Sequence, residues 1–188
     1  MTIPPSPTPN RRDRYDPTLQ ALHWLSAALM AAVVIVAWYM TDLPRTDPGR
    51  NDWYGLHKSI GVTILALSVI RLGWRHRSPP APLVAAAWEH RVAAVTHVLL
   101  YLILLAMPIT GYIHSAAGGH PVSLFGLFTL PTLVPEDKAL GHLFGEIHEA
   151  GQWAVYLVVA LHAAAALFHA IIRKDGVLRR MLPAWLAS

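Results

Sequence analysis

"HEAGQWAVYLVVALH", residues 148–162, is an apolar stretch with a histidine at each end. On an α-helix the fourteen steps between them, at about 100° each, bring the second imidazole to within roughly 40° of the first and about 21 Å further along the axis. His148 and His162 therefore leave one helix face at two depths. Imidazoles inside so apolar a run need partners, and the rest of the chain must supply them.

The chain has 188 residues, of which 54% are hydrophobic and only 14% charged, with a mean hydropathy of +0.40. A soluble domain carries about 25% charged residues, so this composition points to a membrane protein. Four apolar segments, at residues 20–41, 54–74, 89–114 and 147–172, reach the roughly 20 residues that a 30 Å hydrocarbon core requires. Backbone groups in lipid are satisfied only within helices or closed barrels, and no alternating ten-residue strands occur. The expected fold is all-α, an integral-membrane four-helix bundle forming one domain over residues 15–175. A Pro-rich cytoplasmic tail, residues 1–14, is expected to be disordered. Residues 176–188 mix basic and apolar side chains suited to an anionic membrane face and read as a cytoplasmic interfacial tail. No cleavage site follows the first apolar segment, so a removed signal peptide is not expected.

There is no cysteine, which excludes disulfides, thiolate zinc sites, iron–sulfur clusters and covalent c-type haem. The pI near 9.7 does not imply nucleic acid, because the basic residues cluster at segment ends without interleaved aromatics. Arg11, Arg12, Arg14, Arg71, Arg75, Arg77, Arg91, Arg173, Lys174, Arg179 and Arg180 fall on one side, against Arg45, Arg50, Lys58 and Lys138 on the other. The positive-inside rule then places both termini in the cytoplasm. Trp24, Trp74 and Trp88 at the cytoplasmic ends, and Trp38 and Trp53 at the external ends, match interfacial anchors.

In this frame the histidines sort by depth. His57 and His148 share an outer level, and His23 and His162 an inner one, each level offering two imidazoles from different helices. Paired neutral imidazoles suit the two axial positions of an iron porphyrin, a low-reorganisation centre for single-electron transfer. Ala27, Gly61, Ala165 and Ala166, about one turn after ligand candidates, and Gly151 after His148 leave room for a flat ring beside the backbone. Two stacked b haems about 21 Å apart would then form an electron path across the membrane. Polar helix–helix contacts, or a metal or proton path, remain open alternatives for the same residues.

The motifs "RYDPTLQALHWLSAALM", "GLHKSIGVTIL" with "VIRLGWR", "HVLLYLILLAMPITGY" and "EIHEAGQWAVYLVVALHAAAALFH" followed by "KDGVLRRMLP" resemble the bacterial cytochrome b561 family over residues 14–183. The resemblance implies a bacterial inner-membrane bundle with two haem b groups and ubiquinone as electron acceptor. It implies for some members oxidation of superoxide at the external face. By motif, His23 and His162 would ligate the cytoplasmic-side haem iron, and His57 and His148 the external one. The Pro-rich tail and the outer loops depart from the family pattern, so another external one-electron donor stays open. A cytochrome b relay subunit serving a partner dehydrogenase or hydrogenase is the alternative reading.

Further residues take roles within that resemblance. His169, seven residues after His162, with Arg71 and Trp74 could seat a quinone head group at the cytoplasmic boundary. Arg71 could equally anchor propionates or snorkel to lipid phosphates. Lys58, directly after His57, is expected to give superoxide a cationic approach on a side that otherwise carries Asp42, Asp47, Asp52, Glu136, Asp137, Glu146 and Glu149. His97 lacks an evident depth partner and reads mainly as a packing residue. His114, His120 and His142 read as solvated loop histidines, with a metal site as the lesser option. Pro108 is expected to kink the third helix. "VSLFGLFTLP" is apolar enough to lie along the membrane surface and shield the outer haem, with an ordinary interfacial loop as the alternative.

Overall fold

The structure, a computed structural model, describes residues 14–79 and 86–186. The tail expected to be disordered lies, up to residue 13, outside them. Helices α1 (Pro17–Asp42), α2 (Arg50–Arg77), α3 (Ala87–Ala117) and α4 (Lys138–Phe168) are each long and apolar enough to cross a membrane. Between α3 and α4 lies a short antiparallel hairpin, β1 (Ser123–Leu124) and β2 (Phe128–Thr129).

Helices α1, α3 and α4 start where the sequence supplies side-chain partners for free amides. The Asp16 carboxylate accepts from the Thr18 amide at 2.9 Å with Pro17 following it, and Glu89 accepts from the Ala86 amide at 3.2 Å. Asp137 accepts from the amides of Ala139 and Leu140 at 2.8 and 3.1 Å. These bonds replace those missing in a first helical turn. The Asp137 cap moves the start of α4 to Lys138, well before the apolar run that begins near residue 147. The first turns of α4 are thus a polar extension beyond the span. Helix α3 continues through Pro108.

The bundle is apolar outside, and inside it mixes aliphatic residues with small polar ones. Ile35, Val69, Val98 and Leu157 are exposed, whereas Ser26, Ser59 and Ser68 are buried. Each buried serine returns its hydroxyl to the carbonyl four residues earlier, at 2.7–2.8 Å. These small, self-satisfied side chains let α1 and α2 approach closely. Val36, Ile60 and Ile64 form the centre of that seam, with Leu29, Val33 and Leu56 around it.

Packing follows chain order: α1 lies on α2, α2 on α3, and α3 on α4. Among the described residues α4 makes almost no close backbone approach to α1 or α2. The separation is bridged by side chains, including the Trp38 indole, which donates to the Tyr156 hydroxyl at 2.7 Å.

Both ends are closed by short segments. At one end the hairpin rests on α2 through Ser59, which is 0% exposed. Its Oγ accepts from the Phe125 amide at 2.9 Å and lies 3.1 Å from the Ser123 carbonyl. Three residues separate the paired Leu124 and Phe128, and the turn places two of them, Phe125 and Gly126, at φ 49° and 72°, the left-handed region that favours glycine. At the other end a π-helical turn, His169–Arg173, leads into Lys174 at φ 52° and Gly176 at φ 80°, which reverse the chain. The following segment lies against the start of α1: the Arg180 carbonyl accepts from the Tyr15 amide and the Gln20 side chain, and the Met181 carbonyl from the Trp24 indole, all at 2.9–3.1 Å. Arg14 bonds the Leu182 carbonyl.

Candidate functional site

The gap beside α4 is crossed at two levels by facing imidazoles. His57 on α2 and His148 on α4 have ring centroids 6.1 Å apart with planes at 87°. His23 on α1 and His162 on α4 are also 6.1 Å apart, at 75°. Two metal–nitrogen bonds of about 2 Å plus the inner halves of two imidazole rings come to roughly 6 Å. The spacing therefore suits a metal seated between the rings of each pair.

Protonation of the outer ligand candidate is set by its neighbours. His148 Nδ1 lies 2.9 Å from the Met107 carbonyl and 3.2 Å from Thr110 Oγ1. A carbonyl only accepts, so Nδ1 carries the proton and Nε2 keeps its lone pair, the tautomer a metal ligand needs. Gly111 makes this arrangement possible, since a Cβ there would stand 3.0 Å from His148 Cε1. Gly61, one turn after His57, has nothing within 4 Å of an added Cβ. That open space beside the backbone fits the edge of a macrocycle. His57 Nδ1 is buried and completes no hydrogen bond of good geometry.

The inner level holds a third imidazole. His97 on α3 lies 5.8 Å from His162, centroid to centroid, although its sequence position suggested no partner. Helix rise contains the missing signal: His97 is ten residues from the first residue of α3, Ala87, and His162 eleven from the end of the π turn, Arg173. These offsets put both rings at a similar depth. Backbones of α3 and α4 pack together while those of α1 and α4 do not. The wider helix separation thus lies between His23 and His162, while His97 reaches His162 from the closely packed α3.

The residues expected to seat a quinone head group have separate contacts. His169 Nδ1 donates to the Asp175 carboxylate at 2.6 Å. Arg71 lies over the Tyr101 ring, 5.7 Å from its centroid, and the Trp74 indole donates to Asp16 at 3.0 Å. No hydrogen bond or ring contact joins the three. Partial burial opposes ionisation of Asp175, but the His169 bond, the Val177 amide and the nearby His169 and Arg173 charges outweigh it. Its carboxyl is held below the ordinary carboxylate value. Arg173 spans from Asp175, at 3.4 Å, to Glu89 on α3.

Lys58 is half-buried beside His57 and forms no ion pair among the described residues. His114 Nδ1 donates to the Gly141 carbonyl at 2.7 Å, joining α3 to the polar extension of α4. His142 lies 3.7 Å from Glu146. Among the described residues no group of three or more histidines and carboxylates is placed to hold a metal ion. The centres on offer are the imidazole pairs.

A membrane bundle of four helices whose imidazoles face each other at axial-ligand spacing has the architecture of a transmembrane electron-transfer cytochrome. The family model of the prokaryotic cytochrome b561 matches residues 14–184, and the chain belongs to that family. It is 37% identical to cytochrome b561 homolog 2 of Escherichia coli (strain K12) over 175 residues, 92% of this chain and 93% of the relative. It is 31% identical to cytochrome b561 homolog 1 of the same organism, over 91% of this chain and 98% of the relative. Similarity to the probable superoxide oxidase CybB of Yersinia pestis is 32% over 86% of this chain and 92% of the relative. The protein is thus a multi-pass bacterial membrane protein of electron transfer, in a family whose cofactor is haem b.

Proposed function

We propose that this protein is a di-haem cytochrome b that oxidises superoxide at its external face and reduces ubiquinone within the inner membrane, with both termini cytoplasmic. The observation that carries the reading is the pair of imidazole couples, each 6.1 Å between centroids, at two levels of one gap. His57 and His148 would hold the outer haem, and His23 and His162 the inner one. Haem b supplies one-electron chemistry when bound. The balanced reaction takes two superoxide anions, one ubiquinone and two protons to two dioxygen and one ubiquinol.

The chain's own residues orient and exclude. The Met107 carbonyl and Thr110 hydroxyl hold the His148 ring in its ligand tautomer. Lys58 offers the positive charge that an anionic substrate needs at short range. At the cytoplasmic end Asp175 holds the proton of His169 on Nδ1, leaving Nε2 to face a quinone oxygen, while Trp74 offers an aromatic wall. The similarity to a probable superoxide oxidase supports the choice of donor.

The test is haem stoichiometry by pyridine haemochrome on detergent-purified protein, followed by anaerobic mixing with superoxide and ubiquinone. Two haem b per chain and quinol formation are expected. In that assay Lys58→Glu should slow the reaction about tenfold at low salt, with the deficit shrinking as ionic strength rises. Two haems with no superoxide oxidation would transfer the protein to the relay-subunit reading, in which a partner dehydrogenase donates the electrons.

A further inference from the structure

The face of α3 that carries His97 carries Tyr101 one turn later. The Tyr101 hydroxyl is buried and has no hydrogen-bond partner. Leaving such a group unsatisfied costs about 1–3 kcal/mol. Facing it across the bundle, the Arg71 guanidinium lies 5.7 Å from the Tyr101 ring centroid, and Arg75 follows Arg71 one turn later on α2. Like charges at this spacing repel, and neither arginine has a carboxylate partner among the described residues. A small cavity joins these groups, lined by Tyr15, Leu19, Arg71, Arg75, Tyr101 and Met181.

We propose that Arg71, Arg75 and Tyr101 form an oxyanion site, and that its occupant is a propionate carboxylate of the haem held by His23 and His162. Two arginine forks and a phenol donor are the complement of a carboxylate. The cavity has Tyr15 and Met181 in its wall, and both belong to the segments tied together by the Tyr15–Arg180 and Trp24–Met181 bonds. This wall stands on the side from which a lipid phosphate would come. Arg71 also points across to α3 rather than out toward head groups, as a snorkelling arginine would. The anion therefore reaches the site from within the bundle, where the inner imidazole pair lies.

The proposal rests on the ligand roles of His23 and His162, and the experiment separates the two. Purified holoprotein is titrated potentiometrically, with optical and EPR detection, as wild type, Arg71→Gln and Tyr101→Phe. Positive charge and a hydrogen-bond donor on the propionate favour the reduced centre, so each variant should lower one midpoint and leave the other in place. The expected change is about tenfold in the oxidised-to-reduced ratio at fixed potential, 59 mV for one electron. Haem content should stay at the wild-type value in Tyr101→Phe, which decides the matter if Arg71→Gln loses haem. Unchanged midpoints overturn the site, and unchanged midpoints with a raised KM for quinone assign Arg71 to quinone instead. A shift seen in phospholipid nanodiscs but absent in phosphate-free maltoside micelles makes the occupant a lipid phosphate and overturns the carboxylate. If His23→Ala and His162→Ala both retain two haems, the ligand reading itself has failed, independently of the midpoints.

Discussion

The two imidazole levels are built from the same residue type at the same separation, yet their surroundings are opposites. Around the outer pair, position is fixed by backbone: the Met107 carbonyl holds His148 and Gly111 admits its ring. Around the inner pair the neighbours are charged or ionisable: Arg71, Arg75, His97 and, at the end of the bundle, the His169–Asp175 couple. Backbone contacts fix the geometry of an imidazole, whereas a cluster of charged and ionisable groups tunes its electrostatics. One bundle thus combines an end held by backbone, with Lys58 as the cation beside it, and an end crowded with ionisable groups.

The contrast breaks most completely if one ligand is removed from each level. His148→Ala and His162→Ala should each leave one haem per chain, with different residual EPR signals, while His97→Ala should keep two. Loss of a haem in His97→Ala would make it a ligand and exchange its role with that of His23.

A smaller effect is expected from Gly111→Val, which drives side-chain atoms into the His148 ring at a contact already 3.0 Å from an added Cβ. Overpacking of this sort costs about 1–3 kcal/mol. The outer haem should be lost first on gel filtration, with the inner spectrum intact. Equal loss at both levels would mean the two are not independently built.

Ser59→Ala removes the acceptor of the Phe125 amide, a local cost of about 1–3 kcal/mol for a buried group left without its partner. Limited proteolysis should then cut within residues 123–129 faster than in the wild type, without a change in the inner haem signal. An unchanged cleavage rate would show that the Tyr112 bonds to Pro131 and Leu133 hold the loop unaided.

The mildest test concerns acid. Asp175 has its carboxyl value lowered in the folded state, so its contribution is present above the unfolded value near 3.9 and lost as pH falls through the folded one. Hydrogen exchange of residues 175–182 should therefore quicken only at the acid end, below about pH 4, and Asp175→Asn should show the quicker exchange already at neutral pH. Exchange in Asp175→Asn that matches the wild type at neutral pH would show that the Tyr15, Gln20 and Trp24 bonds fix this segment by themselves.

Much of this architecture can be read from residues alone because imidazoles are conspicuous in apolar runs. The facing of His57 with His148 and of His23 with His162 follows from helix rise and chain direction, both regular. His97 escaped the same count because the third apolar run was measured from residue 89, not from the true start of the helix at Ala87. The early start of α4 was hidden because hydropathy marks where lipid begins, whereas Asp137 marks where the helix does. Tyr101, Ser59 and Asp175 carry no periodic signal. Their roles arise from contacts between elements far apart in sequence, which only the folded chain brings together.

The placement of both His148 and His162 on α4 also bears on how the protein is made. Synthesis delivers α1 and α2 first, and Val36, Ile60 and Ile64 at the centre of their seam all belong to those two helices, with Leu104 of α3 added later. Each imidazole pair, by contrast, has one member on the last helix. Neither site exists until that helix is inserted, so the nascent protein cannot trap a cofactor in a half-built bundle, and cofactor capture becomes the closing step of assembly.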